Sequence, residues 1–211
     1  MSESEKKSEE KSVACFGSGD GLPGEPMYDA MEEVGRILAV EGITILTGGF
    51  GGAGMEAAPR GARKAGGKSV GYTLLGKPGN PYLTEVVDCH KFAEGIPFFA
   101  DFGIRLCGLM QADGFIIAAG GGAGTAIELL TAVQFNKEIF GKFVPGPEKR
   151  CIAILKPAGV DVPGWYNKML SSLQEWGLLD EANRNLIRVV SAPEDAVSWV
   201  LRGYIDDEGS C

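Results

Sequence analysis

Glu128 stands three residues after Thr125, directly behind the run Gly120-Gly121-Gly122-Ala123-Gly124. Glycine-rich backbone lets N–H groups close around an anion, and the start of a following helix adds its positive dipole end. Thr125 adds a hydroxyl donor to that cradle. Glu128 lies about one helical turn further on and can face the same way. A carboxylate there can move a proton or stabilise a developing cation. The T-x-x-E spacing also fits a capping box, in which Thr125 caps the helix and Glu128 reaches back to the cap amide. The capping box accounts for those two residues, but not for the glycines before them.

A second cluster, Gly48, Gly49, Gly51, Gly52 and Gly54, runs into Met55. It offers a second phosphate cradle, or a tight strand-to-helix turn needed only for packing. The stretch from Gly49 to Gly54 matches G-x-G-x-x-G, but the dinucleotide reading wants an acidic residue roughly 20 positions on. Tyr72-Thr73-Leu74-Leu75 supplies none. A third, smaller cluster begins Gly17-Ser18-Gly19. Arg105 is the lone cation of the apolar stretch 98–107. It could grip a phosphate or carboxylate with both arms of its guanidinium. It could equally pair with Asp101, four residues earlier on the same helix face.

The surrounding pattern alternates short apolar runs with amphipathic ones. Strands are expected at 13–16, 43–47, 69–73, 86–89, 115–119, 151–155 and 186–190. Helices are expected at 27–40, 54–65 with Pro59 placed to bend it, 96–111, 125–136, 163–175 and 193–202. This order predicts one α/β domain over 13–205: a Rossmann-like α/β/α sandwich with a mainly parallel sheet. Residues 1–12 read as a disordered tail and 206–211 as a frayed acidic end. Residues 140–149 read as a long loop able to cover a site. Ligands of such sheets bind beyond the carboxyl ends of the strands. The glycine clusters follow the first, second and fifth expected strands.

The chain has 211 residues, a net charge of −8 and 32 glycines, about twice the usual glycine share. The acidic balance lacks the basic footprint of a nucleic-acid binder. No apolar run reaches the length of a membrane span, and the polar N-terminus is no secretory signal. Five cysteines, Cys15, Cys89, Cys107, Cys151 and Cys211, form no C-x-x-C pair. They read as reduced thiols of a cytoplasmic protein. His90 is the single histidine, so neither a zinc site nor a Ser-His-Asp triad is expected.

These elements, in this order, resemble the LOG family of cytokinin-nucleotide phosphoribohydrolases, also labelled "lysine decarboxylase-like". The family hallmark P-G-G-x-G-T-x-x-E is matched from Gly121 to Glu128, with Gly120 in place of the proline. The family's M-H-x-R-K motif survives here only as Arg105, because Phe102, Gly103 and Leu106 replace its Met, His and Lys. The resemblance runs from about residue 13 to at least 135. It implies cleavage of a nucleoside 5′-monophosphate to free base and ribose 5-phosphate, with no cofactor and no metal. Glu128 and Arg105 would be catalytic. Gly17, Ser18, Gly48, Gly49, Gly51, Gly52, Gly54, Met55, Gly121, Gly122, Ala123, Gly124 and Thr125 would hold the phosphate and nucleotide. It also implies at least a homodimer, and the apolar 96–111 helix could be contact surface or core. Some relatives with this fold carry the molybdenum cofactor without hydrolysis, and the departures keep that alternative open. A decarboxylase would need a Schiff-base lysine, and no lysine stands beside a glycine cradle.

Overall fold

The computed structural model describes residues 10–92, 100–136, 150–162 and 164–208. The expected loop over 140–149, most of the tail 1–12 and the last residues of the chain lie outside these. Seven strands form one sheet: β1 (Ser12–Phe16), β2 (Thr44–Thr47), β3 (Ser69–Thr73), β4 (Glu85–Asp88), β5 (Gly114–Ala118), β6 (Ile152–Leu155) and β7 (Ile187–Val190). Their order is β4-β3-β2-β1-β5-β6-β7, and every pairing is parallel. The fold is thus the expected Rossmann-like α/β class.

Helices cover both faces, which is why the central strands read as unbroken apolar runs. On one face lie α1 (Pro26–Val40), α2 (Ala57–Lys64) and α8 (Pro193–Glu208). Their side chains Met31, Leu38, Ala58 and Val197 pack with Val13, Ile45 and Ile116 of the sheet. On the other lie α4 (Ala100–Leu109), α5 (Ala123–Phe135) and α6 (Trp165–Glu175). There Leu109, Leu129 and Leu170 pack with Ala14, Phe16, Phe115 and Ile154. Alternate residues of one strand therefore feed opposite cores. Two short helices complete the described set, α3 (Cys89–Phe92) and α7 (Glu181–Asn185). Nothing in the hydrophobic pattern marks α7. Its start is held by the Asp180 side chain, which accepts from the Asn183 amide at 2.7 Å.

Several boundaries move for local reasons. The second helix begins at Ala57 rather than 54, so Pro59 falls in its first turn. There the missing N–H has no intrahelical partner to lose. The fifth begins at Ala123, two residues before Thr125. The strand expected at 86–89 ends at Asp88, and Cys89 opens α3. The last helix continues to Glu208, through the acidic stretch where fraying is expected.

The chain builds β1 to β4 toward one edge, then returns past β1 to place β5 on its other side. The carboxyl edge between β1 and β5 is therefore the switch point where ligands of this architecture bind. The three glycine clusters follow β2, β1 and β5, which are adjacent in the sheet. Sequence-distant loops thus share one edge.

Candidate functional site

Arg105 comes from the middle of α4 and lies across the ends of β2 and β3. Its Nε donates to the Tyr72 carbonyl at 3.1 Å, and Nη2 lies 3.3 Å from Met55 Sδ. Nη1 forms an ion pair with Glu128 Oε1 at 3.5 Å. Both side chains are buried, 9% and 8% exposed. Asp101 does not compete for the guanidinium. Its carboxylate turns to His90, 3.0 Å away. Between the two readings open in the sequence, the arginine faces the glycine edge and Glu128.

Burial dominates the electrostatics of this pair. It pushes the Glu128 carboxyl up from 4.5 to about 7, partly offset by the Arg105 charge. It also holds Arg105 below its usual value, against the pull of Glu128 and Cys89. A carboxyl poised near neutrality suits proton transfer.

Helix α5 begins at Ala123, capped by Gly122, whose extended backbone brings no side-chain hydrogen bond. Thr125 and Glu128 therefore do not form a capping box. Thr125 is buried inside the first turn, against Gly121. The first backbone bond of the helix runs from the Ala126 amide to the Gly122 carbonyl at 3.1 Å. The amides of Ala123, Gly124 and Thr125 precede that ladder, at the positive end of the dipole. Gly122, Ala123 and Gly124 are exposed. Gly120 has φ +101°, a conformation closed to the hallmark proline, whose ring locks φ near −65°. The replacement therefore goes with a different backbone turn.

The other two clusters are laced together. The Ala53 amide donates to the Asp20 carbonyl at 2.8 Å, and the Gly54 amide to the Ser18 carbonyl at 3.0 Å. A Cβ on Gly54 would lie 2.2 Å from Gly17 backbone atoms. The Ser18 hydroxyl turns to Asp20, accepting from its amide at 3.0 Å. Gly49 and Gly52 take positive φ, at +78° and +87°, to make the turn. Gly51 is half-buried near Glu56. In this loop, packing accounts for Gly52 and Gly54, while Met55 supplies the sulfur beneath Arg105.

Asn80 is a positioning residue that the sequence reading missed. Its Nδ2 donates to the Phe50 and Met55 carbonyls at 3.1 and 3.2 Å, and its amide to the Gly49 carbonyl at 2.7 Å. Thr47 Oγ1 also donates to the Met55 carbonyl, at 3.1 Å. Only the Asn-Pro turn at 80–81 hints at such a staple in sequence.

Gly48 gives a direct test of the pair. A Cβ there would lie 1.7 Å from Arg105 Nη2 and 2.7 Å from Met55 Sδ. Gly48→Ala is expected to displace the guanidinium and separate it from Glu128. The resulting strain is about 1–3 kcal/mol, as for other overpacked sites. Urea unfolding should show a lowered midpoint with an unchanged slope. An unchanged midpoint would mean that Arg105 does not need this space.

Among the described residues, no three of His, Cys, Asp and Glu converge as a metal site. No described helix is long and apolar enough to cross a membrane. Cys15 and Cys89 are buried free thiols, and Cys107 is an exposed one.

An uncharacterized protein of Archaeoglobus fulgidus is 31% identical over 122 residues, 57% of this chain and 74% of that protein. The crystal structure of TM1055 superposes with TM-score 0.58 at 27% identity, covering 96% of this chain and 99% of that one. The molybdenum cofactor carrier protein of Chlamydomonas reinhardtii gives 0.64 at 20% identity, over 93% and 99%. DNA processing protein A of Helicobacter pylori, described with a single-stranded DNA binding mode, gives 0.57 at 15% identity, over 92% and 81%. The last two likenesses show the fold alone. A family model for the SLOG cluster4 family matches residues 10–143, which include all three glycine clusters, Arg105 and Glu128. With more than half of its length matched, the chain belongs to the SLOG cluster4 family.

Proposed function

We propose that this protein hydrolyses the N-glycosidic bond of a nucleoside 5′-monophosphate, releasing free base and ribose 5-phosphate. One observation carries the reading. A buried carboxyl, Glu128, faces a buried guanidinium, Arg105, one turn inside a helix whose first amides open at the switch point of the sheet. The amides from Gly121 through Gly122, Ala123 and Gly124 to Thr125 would receive the 5′-phosphate. The walls would come from Gly17, Ser18, Gly48, Gly49 and Gly51, with Gly52, Gly54 and Met55 behind them. Glu128 would then meet the ribose, stabilise its oxocarbenium character and take a proton from the attacking water. Arg105 would orient Glu128 and the sugar phosphate. The reading needs no cofactor and no metal, and expects at least a homodimer in the cytoplasm. A net charge of −8 favours a small phosphorylated ligand over DNA.

A second reading has its own support. Leu106 and Gly103 stand where the resembled motif carries Lys and His, so Arg105 lacks those neighbours. Such a site could bind a nucleotide or the molybdenum cofactor without turnover. Incubation with AMP, GMP, CMP and UMP separates the two. The hydrolase reading expects free base and ribose 5-phosphate in equal amounts from at least one nucleotide. Thermal stabilisation by the nucleotides with no base released across the panel would establish the carrier reading instead.

A further inference from the structure

The chain's single histidine forms half of a carboxylate–imidazole dyad beside this site. Helix α3 follows β4 directly at the carboxyl edge of the sheet. His90 Nδ1 lies 3.0 Å from Asp101 Oδ2. The Asp101 side chain is 7% exposed, while that of His90 is 62% exposed. The backbone amide of His90 donates to Asp88 Oδ1 at 3.1 Å, which fixes the start of the turn. A buried acid thus holds one ring nitrogen, and the ring stands in solvent.

The dyad is tied to the Arg105–Glu128 pair by α4. Asp101 and Arg105 are four residues apart on that helix, so they share a face about 6 Å apart along its axis. As the return connection of a parallel sheet, α4 runs inward from the carboxyl edge. Asp101 therefore sits one turn nearer the mouth than Arg105. Cys89, adjacent to His90, is buried, and burial pushes its thiol up to about 11. It stays protonated there and is no rival base.

Cleavage of an N-glycosidic bond needs two proton movements. Glu128 can serve the sugar and the water, but the departing base must be protonated as it leaves. We infer that His90, oriented by Asp101, is the general acid that protonates the leaving base, an inference that rests on the hydrolase reading above. The bond between C1′ and the base nitrogen breaks, and its electron pair goes to the base. His90 Nε2–H gives its proton to that base, while the Nδ1 proton stays on the ring and keeps its hydrogen bond to the Asp101 carboxylate. Water adds to C1′ and its proton passes to Glu128. Proton return from Glu128 to His90 through solvent restores both groups. The sum is nucleotide plus water to base plus ribose 5-phosphate. An imidazole held at Nδ1 by a carboxylate is suited to this proton transfer.

The test compares two leaving groups in wild type and His90→Gln. One substrate is AMP; the other is 4-nitrophenyl riboside 5′-phosphate, whose phenolate leaves without a proton. His90→Gln is expected to lower kcat for AMP by about 10²-fold or more. KM should stay within about threefold, and kcat for the nitrophenyl substrate should stay within about threefold as well. Equal losses on both substrates, or none on AMP, would overturn the assignment while leaving the hydrolase reading in place. Wild-type protein that cleaves neither substrate would overturn the hydrolase reading and this inference together.

Discussion

Glu128→Ala is expected to abolish base release from AMP. The fall in kcat should be about 10²–10⁴-fold, the range for loss of a positioned proton-transfer group. The mutation removes the carboxyl that would stabilise the ribosyl cation and accept the water proton, and no other described acid is paired with Arg105. The amides at the start of α5 remain, so AMP should still raise the melting temperature of the variant. Free base and ribose 5-phosphate, separated by chromatography, give the turnover. The pH dependence supplies a second signature. The carboxylate is the form that accepts a proton, and Glu128 is pushed up to about 7. Activity of the wild type should therefore fall as pH drops below about 7, where Glu128 takes up a proton and can no longer accept one from water. Base release from Glu128→Ala at the wild-type rate would remove Glu128 from the mechanism.

Much of this site could be read from the sequence because it rests on local rules. The unbroken apolar runs at 13–16 and 115–119 announce strands buried on both faces. Both lie within or beside β1 and β5. Glycine clusters after the first, second and fifth strands become one site only if those strands are neighbours, and the parallel topology makes them so. The partners of individual side chains were not legible. Spacing alone left Arg105 equally able to meet Asp101 or an anion. The choice was made by His90, which reaches Asp101 from a helix outside the motif. Likewise, T-x-x-E has the form of a capping box, but the extended backbone of Gly122 starts the helix earlier and buries both side chains. The glycine run puts Met55 in a candidate phosphate loop, and its sulfur lies against Arg105. Asn80 carries no signal beyond the Asn-Pro turn, because its role is to bond carbonyls of a loop 25 and 30 residues away. Tertiary contacts of this kind have no footprint in local pattern.

Glu128→Gln is expected to make the fold more stable at neutral and alkaline pH while leaving it nearly unchanged in acid. Burial raises the carboxyl from 4.5 to about 7, so the native state holds its proton more tightly than the unfolded chain does. Below the unfolded value both states are protonated, and the neutral acid costs nothing extra. Between the two values the native state binds more protons, so unfolding free energy falls as pH rises. Above the folded value the full difference has been lost, about 3 kcal/mol from this one group. Glutamine reproduces the neutral acid in size and hydrogen bonding, and leaves Arg105 facing an uncharged partner as the protonated acid does. The variant should therefore escape the loss. Urea unfolding at a series of pH values should give coincident curves near pH 4.5 that separate progressively and reach a plateau above neutrality. Parallel curves across the whole range would mean that Glu128 ionises in the fold as easily as in water. A carboxyl free to ionise in that way would not be desolvated, and the wild-type activity rise near pH 7 would then have to come from another group.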